Sequence, residues 1–414
     1  MKACVFTLGC KVNEVESASF MAALEGMGME VTERLCPADI YVLNTCAVTR
    51  EAEKKSRQLV ARARRYNPSA QVFVVGCASG KDEAAFLSKG VQYAGGAQGK
   101  NRLLAELAKR FGGTYCCTEN ALGYEELPAP VQPRTRAFIK IEDGCNNFCS
   151  YCIIPYLRGR VRSRDPEQIV RETESCGRAE VVLTGINISA YDYNGVRLAG
   201  LARMLSGVDR RIRLGSVECT VIDEELLNAL RSLKNFAPQF HLSLQSGSDG
   251  VLKRMNRRYT RAEYLEKCAL IYRFFPDAAI TTDIIAGFPG ETDEDFAQSL
   301  SIIDEAGLAR VHAFAFSPRE GTAAFGMKDT PREVKQGRLQ KLLEAGKLAA
   351  ERYVSARMGC VREVIFEDYE GGYTAGYTPE YIKVYAEGDL SGVTARARLV
   401  SPYGDGALGE VIRN

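Results

Sequence analysis

Asp143-Gly144-Cys145-Asn146-Asn147-Phe148-Cys149-Ser150-Tyr151-Cys152 packs three thiols into one short stretch, directly after an apolar run around Phe138 to Ile141 that reads as a β-strand. With 14 cysteines in 414 residues, only about 0.02 triples of this spacing are expected by chance. Three thiolates leave one corner of a four-iron cube without a protein ligand, whereas a plain electron-transfer cluster takes four. An iron left open in this way can bind a substrate group. Zinc is the alternative, but it wants a fourth ligand, and the nearest histidine in the chain is His241.

On the carboxyl side of this loop, β-rich runs recur at Val181 to Thr184, Ile212 to Ser216, Phe240 to Gln245, Ile280 to Ala286 and Val311 to Phe316, with helical patterns between them. Counting the run before the loop, six βα units are too many for a small doubly wound domain and too few for a closed eight-stranded barrel. The expectation is a partial (β/α)6 barrel with its working face at the strands' carboxyl ends. Thr330, Pro331 and Glu333 read as a capped start for a closing helix that runs to about Met358.

On the amino side, Lys2 to Gly9, Asp39 to Thr45 and Gln71 to Gly76 read as strands, and Asn13 to Gly28, Arg50 to Tyr66 and Lys100 to Phe111 as helices. Alternation of this kind gives a parallel α/β sheet, with Cys10, Cys46 and Cys77 each just past a strand end. Pro128, Pro130 and Pro133 mark a linker. Beyond Gly359, alternating residues broken by glycines predict a small β-barrel. The expected division is therefore an α/β sheet domain over 1–115, a linker over 116–134, the partial barrel with its closing helix over 135–357, and the β-module over 358–414.

Lys plus Arg numbers 54 against 52 for Asp plus Glu, so any nucleic-acid binding must come from local patches. No run approaches the length of about 20 apolar residues that a membrane-spanning helix requires. Met1 to Cys10 lacks the features of a secretory signal. The expectation is a cytoplasmic protein with reduced thiols and no membrane partner.

The C-x3-C-x2-C loop after the first barrel strand resembles that of the radical SAM superfamily. Thr7-Leu8-Gly9-Cys10-Lys11-Val12-Asn13, Leu43-Asn44-Thr45-Cys46 and Gly76-Cys77 are similar to the amino-terminal domain of its methylthiotransferases. From spacing alone, Cys10, Cys46 and Cys77 also read as buried structural thiols. The resemblance implies instead that they hold a second [4Fe-4S] cluster, beside the one on Cys145, Cys149 and Cys152 that binds S-adenosylmethionine. Cys4, Cys36, Cys116, Cys117, Cys176, Cys219, Cys268 and Cys360 keep the structural reading.

Gln245-Ser246-Gly247-Ser248-Asp249 and the stretch from Asp283 through Gly287-Phe288-Pro289-Gly290 to Glu291 also match that family, although the second reads equally as a reverse turn. The resemblance carries S-adenosylmethionine contacts onto Tyr151, Thr184, Gly185, Ser243, Gln245, Asp283, Gly287, Phe288 and Pro289. His241 and His312 are expected to pack the barrel. One cofactor molecule would methylate a sulfur at the second cluster, and another, split reductively, would yield the radical that takes hydrogen from carbon 2 of an adenosine. No residue beyond the cluster ligands is expected to act as an acid or base. An electron donor such as flavodoxin or ferredoxin is implied, and the sulfur donor is not specified.

Arg158, Arg160, Arg162 and Arg164 alternate, so an extended backbone would turn all four to one side, as a phosphate backbone requires. Internal salt bridges to Asp143, Asp165 and Glu167 are the competing reading. Tyr373, Tyr377, Tyr381 and Tyr385, with Lys383, Arg396 and Arg398, resemble the RNA-binding TRAM-like module that ends many methylthiotransferases; packing tyrosines are the alternative. Lys11-Val12, Asn44 to Thr49 and Ser317-Pro318-Arg319-Glu320-Gly321-Thr322 look most like the branch that acts on threonylcarbamoyladenosine 37 of tRNA. Isopentenyladenosine 37 and a ribosomal protein aspartate are the other family substrates. A non-catalytic iron-sulfur RNA-binding or sensor protein is the reading from another class.

Overall fold

Ile40–Thr45 is buried at every position, as a strand covered on both faces of a parallel sheet must be. It lies at the centre of a five-stranded sheet in the computed structural model, which describes all residues except 114, 116–117, 131–134 and 413–414. Cys116, Cys117 and Pro133 therefore lie outside the described residues. The strand order is Glu30–Thr32, Lys2–Thr7, Ile40–Thr45, Gln71–Gly76 and Tyr93–Ala94, all parallel. Tyr41, Leu43, Val72 and Val74 enter the core on one face, and Val42, Phe73 and Val75 the core on the other.

The first helix, Lys11–Gly26, starts two residues before the expected position because Cys10 already ends the strand turn. Arg50–Tyr66 is capped by Thr49, which accepts from the Ala52 N–H at 3.1 Å. Within the expected linker, Thr118–Glu119 and Glu125–Glu126 pair as a short antiparallel hairpin. That stretch is thus partly ordered, and Tyr124 donates to the Lys140 carbonyl at 3.1 Å.

Six parallel strand positions follow: Arg136–Lys140, Glu180–Thr184, Arg211–Leu214 continued by Ser216–Val217, Gln239–Leu242, Ala279–Ala286 and Arg310–Ala315. The third is broken at Gly215, so the sheet divides into a three-stranded and a four-stranded part. In the first strand Ala137, Ile139 and Ile141 join the large helix-covered core. Phe138 turns the other way, onto Val15 of the first helix and Val182. The amino-terminal domain thereby packs against the barrel's inner face.

The closing helix runs over Arg332–Ser355 with Pro331 at its cap position and no side-chain cap. The expected Thr330–Glu333 capping pair does not form. The Thr330 hydroxyl donates instead to the Phe288 carbonyl at 3.4 Å, and the helix ends before Met358.

Five strands close a carboxy-terminal barrel in the order Val361–Glu370, Tyr373–Tyr377, Lys383–Glu387, Gly406–Val411 and Thr394–Tyr403. It docks where the larger barrel's first three strands begin. Glu180, 1% exposed, takes Arg213 at 2.8 Å and Arg211 at 3.3 Å. Arg213 reaches on to the Pro379 carbonyl at 2.9 Å, and Arg211 to Glu363 at 2.6 Å. Removing this buried anion strands Arg213 and leaves Arg211 only the exposed Glu363, at a cost of about 3–5 kcal/mol. Glu180→Ala is expected to lower the melting temperature and to speed proteolytic release of the carboxy-terminal barrel. Unchanged digestion kinetics would show that Glu180 does not hold the two together.

Candidate active site

The loop after Arg136–Lys140 turns at Gly144, where φ is 91° and a Cβ would lie 2.0 Å from the Arg160 carbonyl oxygen. Only glycine fits this approach. Cys145, Cys149 and Cys152 follow, held from behind by Ser150, whose N–H donates to Met255 at 3.0 Å and whose hydroxyl donates to Arg254 at 2.8 Å. Arg257 places Nη1 at 3.3 Å from the Cys149 sulfur and 3.2 Å from Glu218. The Asn187 amide lies 3.8 Å from the Cys145 sulfur. Burial pushes the Cys152 thiol up to about 12 and raises that of Cys145.

Cys10, Cys46 and Cys77 stand at the carboxyl ends of three adjacent strands, so the sheet brings together what the chain keeps far apart. Gly9 is so close that a Cβ there would lie 3.1 Å from the Cys46 sulfur. Ser56 receives the Cys46 N–H at 3.1 Å and donates to its carbonyl at 3.0 Å. Burial raises the Cys46 and Cys77 thiols, and Arg158, hydrogen-bonded to Cys77, opposes that rise. Among the described residues no three His, Cys, Asp or Glu side chains converge on a single metal ion. A four-iron cube instead spreads its thiolates over separate irons.

Between the two sets lies a buried charge network. Glu16 of the first helix and Asp143 of the loop share three cations. Lys100 stands 3.2 and 3.3 Å from them, Lys140 3.0 and 2.6 Å, and Arg158 3.0 Å from each. Burial alone would raise both carboxyls; the three cations outweigh it and hold Glu16 and Asp143 well below the usual range, ionised. Arg158 also donates to Asn13 at 2.6 Å, and Asn13 donates to the Leu8 and Thr45 carbonyls at 2.7 and 3.2 Å. One guanidinium therefore touches the frame of both cysteine sets.

Profile comparison matches residues 139–303 to the radical SAM superfamily and residues 2–94 to the uncharacterized protein family UPF0004. Threonylcarbamoyladenosine tRNA methylthiotransferase MtaB of Bacillus subtilis (strain 168) is 36% identical over 436 residues, covering 99% of this chain and 96% of its own. The protein of the same name from Chlamydia pneumoniae is 37% identical, covering 98% and 97%. This chain belongs to the radical SAM methylthiotransferase family. A Thermus thermophilus tRNA-2-methylthio-N(6)-dimethylallyladenosine synthase is 36% identical, covering 91% of this chain and 84% of its own. Among solved structures, the radical S-adenosylmethionine methyltransferase TsrM from Kitasatospora setae shares the fold, with a TM-score of 0.57 at 16% identity over 78% of this chain and 77% of that one.

The methylthiotransferase barrel is hollow. His241, Ser243 and Gln245 are solvent-reachable while Phe240, Leu242 and Leu244 are buried. Asp283, Ile285, His312 and Phe314 likewise face the hollow. The histidines do not pack the barrel as expected: His241 Nε2 lies 3.3 Å from Asp283 Oδ2, and its ring is 5.8 Å from that of His312.

At the second strand's end Thr184 is buried, and Gly185 lies against Glu142, whose carboxyl burial pushes up to about 8. Glu142 accepts the Asn187 N–H at 2.6 Å while its other oxygen has no partner. Ser243 offers its carbonyl to Tyr259 at 2.7 Å, and Gln245 adopts φ 72°. Phe288 corrects one expectation: it is 0% exposed and packs on Phe316 at 5.3 Å, in one cluster with Tyr151. Its ring supports the loop and does not line an open pocket. Gly287 is fixed by Glu291, which accepts its N–H at 2.6 Å, and Pro289 is buried.

The arginine row is also corrected. Arg158 ends the helix Ile154–Arg158 and only Arg162 of the other three lies in a strand, so the four do not form one extended row. Arg158 is 1% exposed, Arg164 pairs with Glu126 at 2.9 Å and with Glu172, and Arg162 bonds the Arg158 and Arg160 carbonyls at 2.9 Å. Arg160 alone of the four is exposed, over the Phe148 ring at 4.7 Å. The tyrosines divide as well: Tyr377 and Tyr381 stack at 4.7 Å beside Arg136 in the domain interface, while Tyr373 and Tyr385 meet Tyr403. Arg396 and Arg398 are exposed, and Lys383 pairs with Asp405 at 3.2 Å.

Sequence reading gave no individual role to Asn13, Glu16, Lys100, Lys140, Arg257 or Arg319. The last donates to the Ala47 carbonyl and to Glu53, each at 2.6 Å, from the far end of the chain. Asn13 and Glu16 carried a signal, as polar residues one turn apart among Val12, Val15 and Phe20. Arg158→Met should destabilise the protein by about 3–5 kcal/mol, because it strands buried carboxylates. Arg160→Ala, at the surface, should change stability by less than about 0.5 kcal/mol. Parallel thermal melts test both, and equal melting temperatures would contradict the network's role.

Proposed function

We propose that this methylthiotransferase adds a methylthio group to carbon 2 of N6-threonylcarbamoyladenosine at position 37 of tRNA. The observation that carries the reading is the pairing of two cysteine triples, one at the carboxyl ends of three parallel strands and one in the loop after the first barrel strand, joined through Arg158. Names borne by relatives over nearly the whole chain support the substrate.

Both triples fit a four-iron cluster with one open iron. Burial raises the thiols of Cys46, Cys77, Cys145 and Cys152, so the thiolates of these sites need adjacent positive charge. Arg158 beside Cys77 and Arg257 beside Cys149 supply part of it, and iron would supply the rest. When bound, the clusters and S-adenosylmethionine supply the radical and the transferable sulfur.

The chain's own residues position and enclose. Glu142 and Asn187, with Thr184 and Gly185, form a polar corner beside Cys145 suited to the cofactor's amino group. Ser243, Gln245 and Asp283 offer polar groups for its ribose, and Tyr151 and Phe288 back the loop. Arg160, Lys383, Arg396 and Arg398, with Tyr373, Tyr385 and Tyr403, provide charge and stacking faces for RNA. A low-potential donor such as flavodoxin or ferredoxin would deliver electrons, and the reaction belongs in the cytoplasm. Among the described residues no helix is long and apolar enough to cross a membrane.

Anaerobically reconstituted protein should bind about eight irons, roughly two four-iron clusters, and should give both deoxyadenosine and a methylthio mass gain on threonylcarbamoyladenosine tRNA. Cys149→Ala should abolish both products. Cys46→Ala should abolish the mass gain while retaining about half the iron. Mass gain only on isopentenyladenosine tRNA would move the assignment to the substrate named for the Thermus thermophilus relative. Neither product from fully loaded protein would overturn the enzymatic reading.

A further inference from the structure

Lys11 follows Cys10 directly and is exposed, yet it does not face open solvent. Its Nζ lies 5.8 Å from the centre of the Phe138 ring, on the barrel's inner face. The groups whose charge acts on it come from all three domains: Tyr381 of the carboxy-terminal barrel, Arg136 and Arg213 of the central barrel, and Glu14 one turn along its own helix. Lys11 acts in turn on His312, which also feels Arg310, Asp283 and His241. Its side chain therefore lies along the barrel's inner face beside Phe138.

The neighbouring cations are already matched. Arg136 pairs with Glu367 at 2.7 Å and Arg213 with Glu180 at 2.8 Å. Among the described residues, Lys11 and Arg310 have no carboxylate within 4.0 Å. Holding an unpaired cation in a recess walled by protein costs hydration and returns nothing in the free protein. An anionic group arriving with the substrate would recover that cost.

The threonylcarbamoyl substituent carries such a group, a free carboxylate, whereas an isopentenyl substituent is wholly apolar. Carbon 2 of the base must approach the Cys10, Cys46 and Cys77 site, which leaves the rest of the nucleoside within one lysine side chain of Cys10. We propose that Lys11 binds the threonyl carboxylate of the substrate adenosine. This rests on the threonylcarbamoyladenosine reading above and makes Lys11 a specificity-determining residue.

The test compares two anticodon stem-loop RNAs, one bearing threonylcarbamoyladenosine and one with its carboxylate converted to the primary amide. Wild-type holoenzyme should methylthiolate the amide with a kcat/KM roughly 10- to 100-fold lower, the worth of one charge-assisted hydrogen bond. Lys11→Gln should lose a similar factor on the carboxylate RNA and should no longer distinguish it from the amide. Lys11→Arg should recover most of the preference. Iron content and the cluster absorbance band check that each variant is assembled, and the amide arm with wild-type protein needs no variant at all. Equal kcat/KM of the wild type on both RNAs, or an intact preference in Lys11→Gln, would overturn the proposal alone. Activity confined to an isopentenyladenosine stem-loop would instead remove the substrate reading, and the proposal with it.

Discussion

Two carboxylates buried between two domains set the terms for this molecule. Glu16 belongs to the amino-terminal sheet domain and Asp143 to the barrel loop. Neither can remain ionised without cations drawn from both sides: Lys100 from the first domain, Lys140 and Arg158 from the second. A buried pair tolerates little displacement, because losing one partner leaves a bare charge in a poorly polarisable interior. The two cysteine sets are therefore held in one fixed relation. The same guanidinium that neutralises Asp143 reaches Asn13 and Cys77, so the docking of the domains and the framing of the second thiol set are one event.

Much of this was legible in the chain. The cysteine loop, the six strand runs, the helices Arg50–Tyr66 and Lys100–Phe111 and the terminal β-module follow from periodicity and turn residues, which are local properties. What failed was long-range. The alternation of Arg158 to Arg164 matches an extended basic stripe, but Pro155 opens a short helix and burial claims Arg158. Tyr377 and Tyr381 share the spacing of Tyr373 and Tyr385 and differ only in which neighbour covers them. Arg319 and Glu53 are far apart in sequence, and no local pattern announces their contact.

The hollow barrel was hidden for a related reason. A strand with polar inner positions and apolar outer ones looks the same whether its polar face meets water, another domain or a substrate. Once the first helix covers Phe138 and Lys140, the remaining inner positions on the later strands, Ser243, Asp283 and His312 among them, are left uncovered. Gly215 breaks the third strand on the way round, so the six strands curve without closing, and the side left open faces the amino-terminal domain.

The small terminal barrel is anchored on Arg136, Glu180 and Arg211, where the large barrel's strands begin, whereas Cys145 follows their ends. Strands rise about 3.3 Å per residue, which separates those two levels by roughly 20 Å. Whatever touches the terminal barrel's outer tyrosines and the cysteine loop together must therefore span at least that distance.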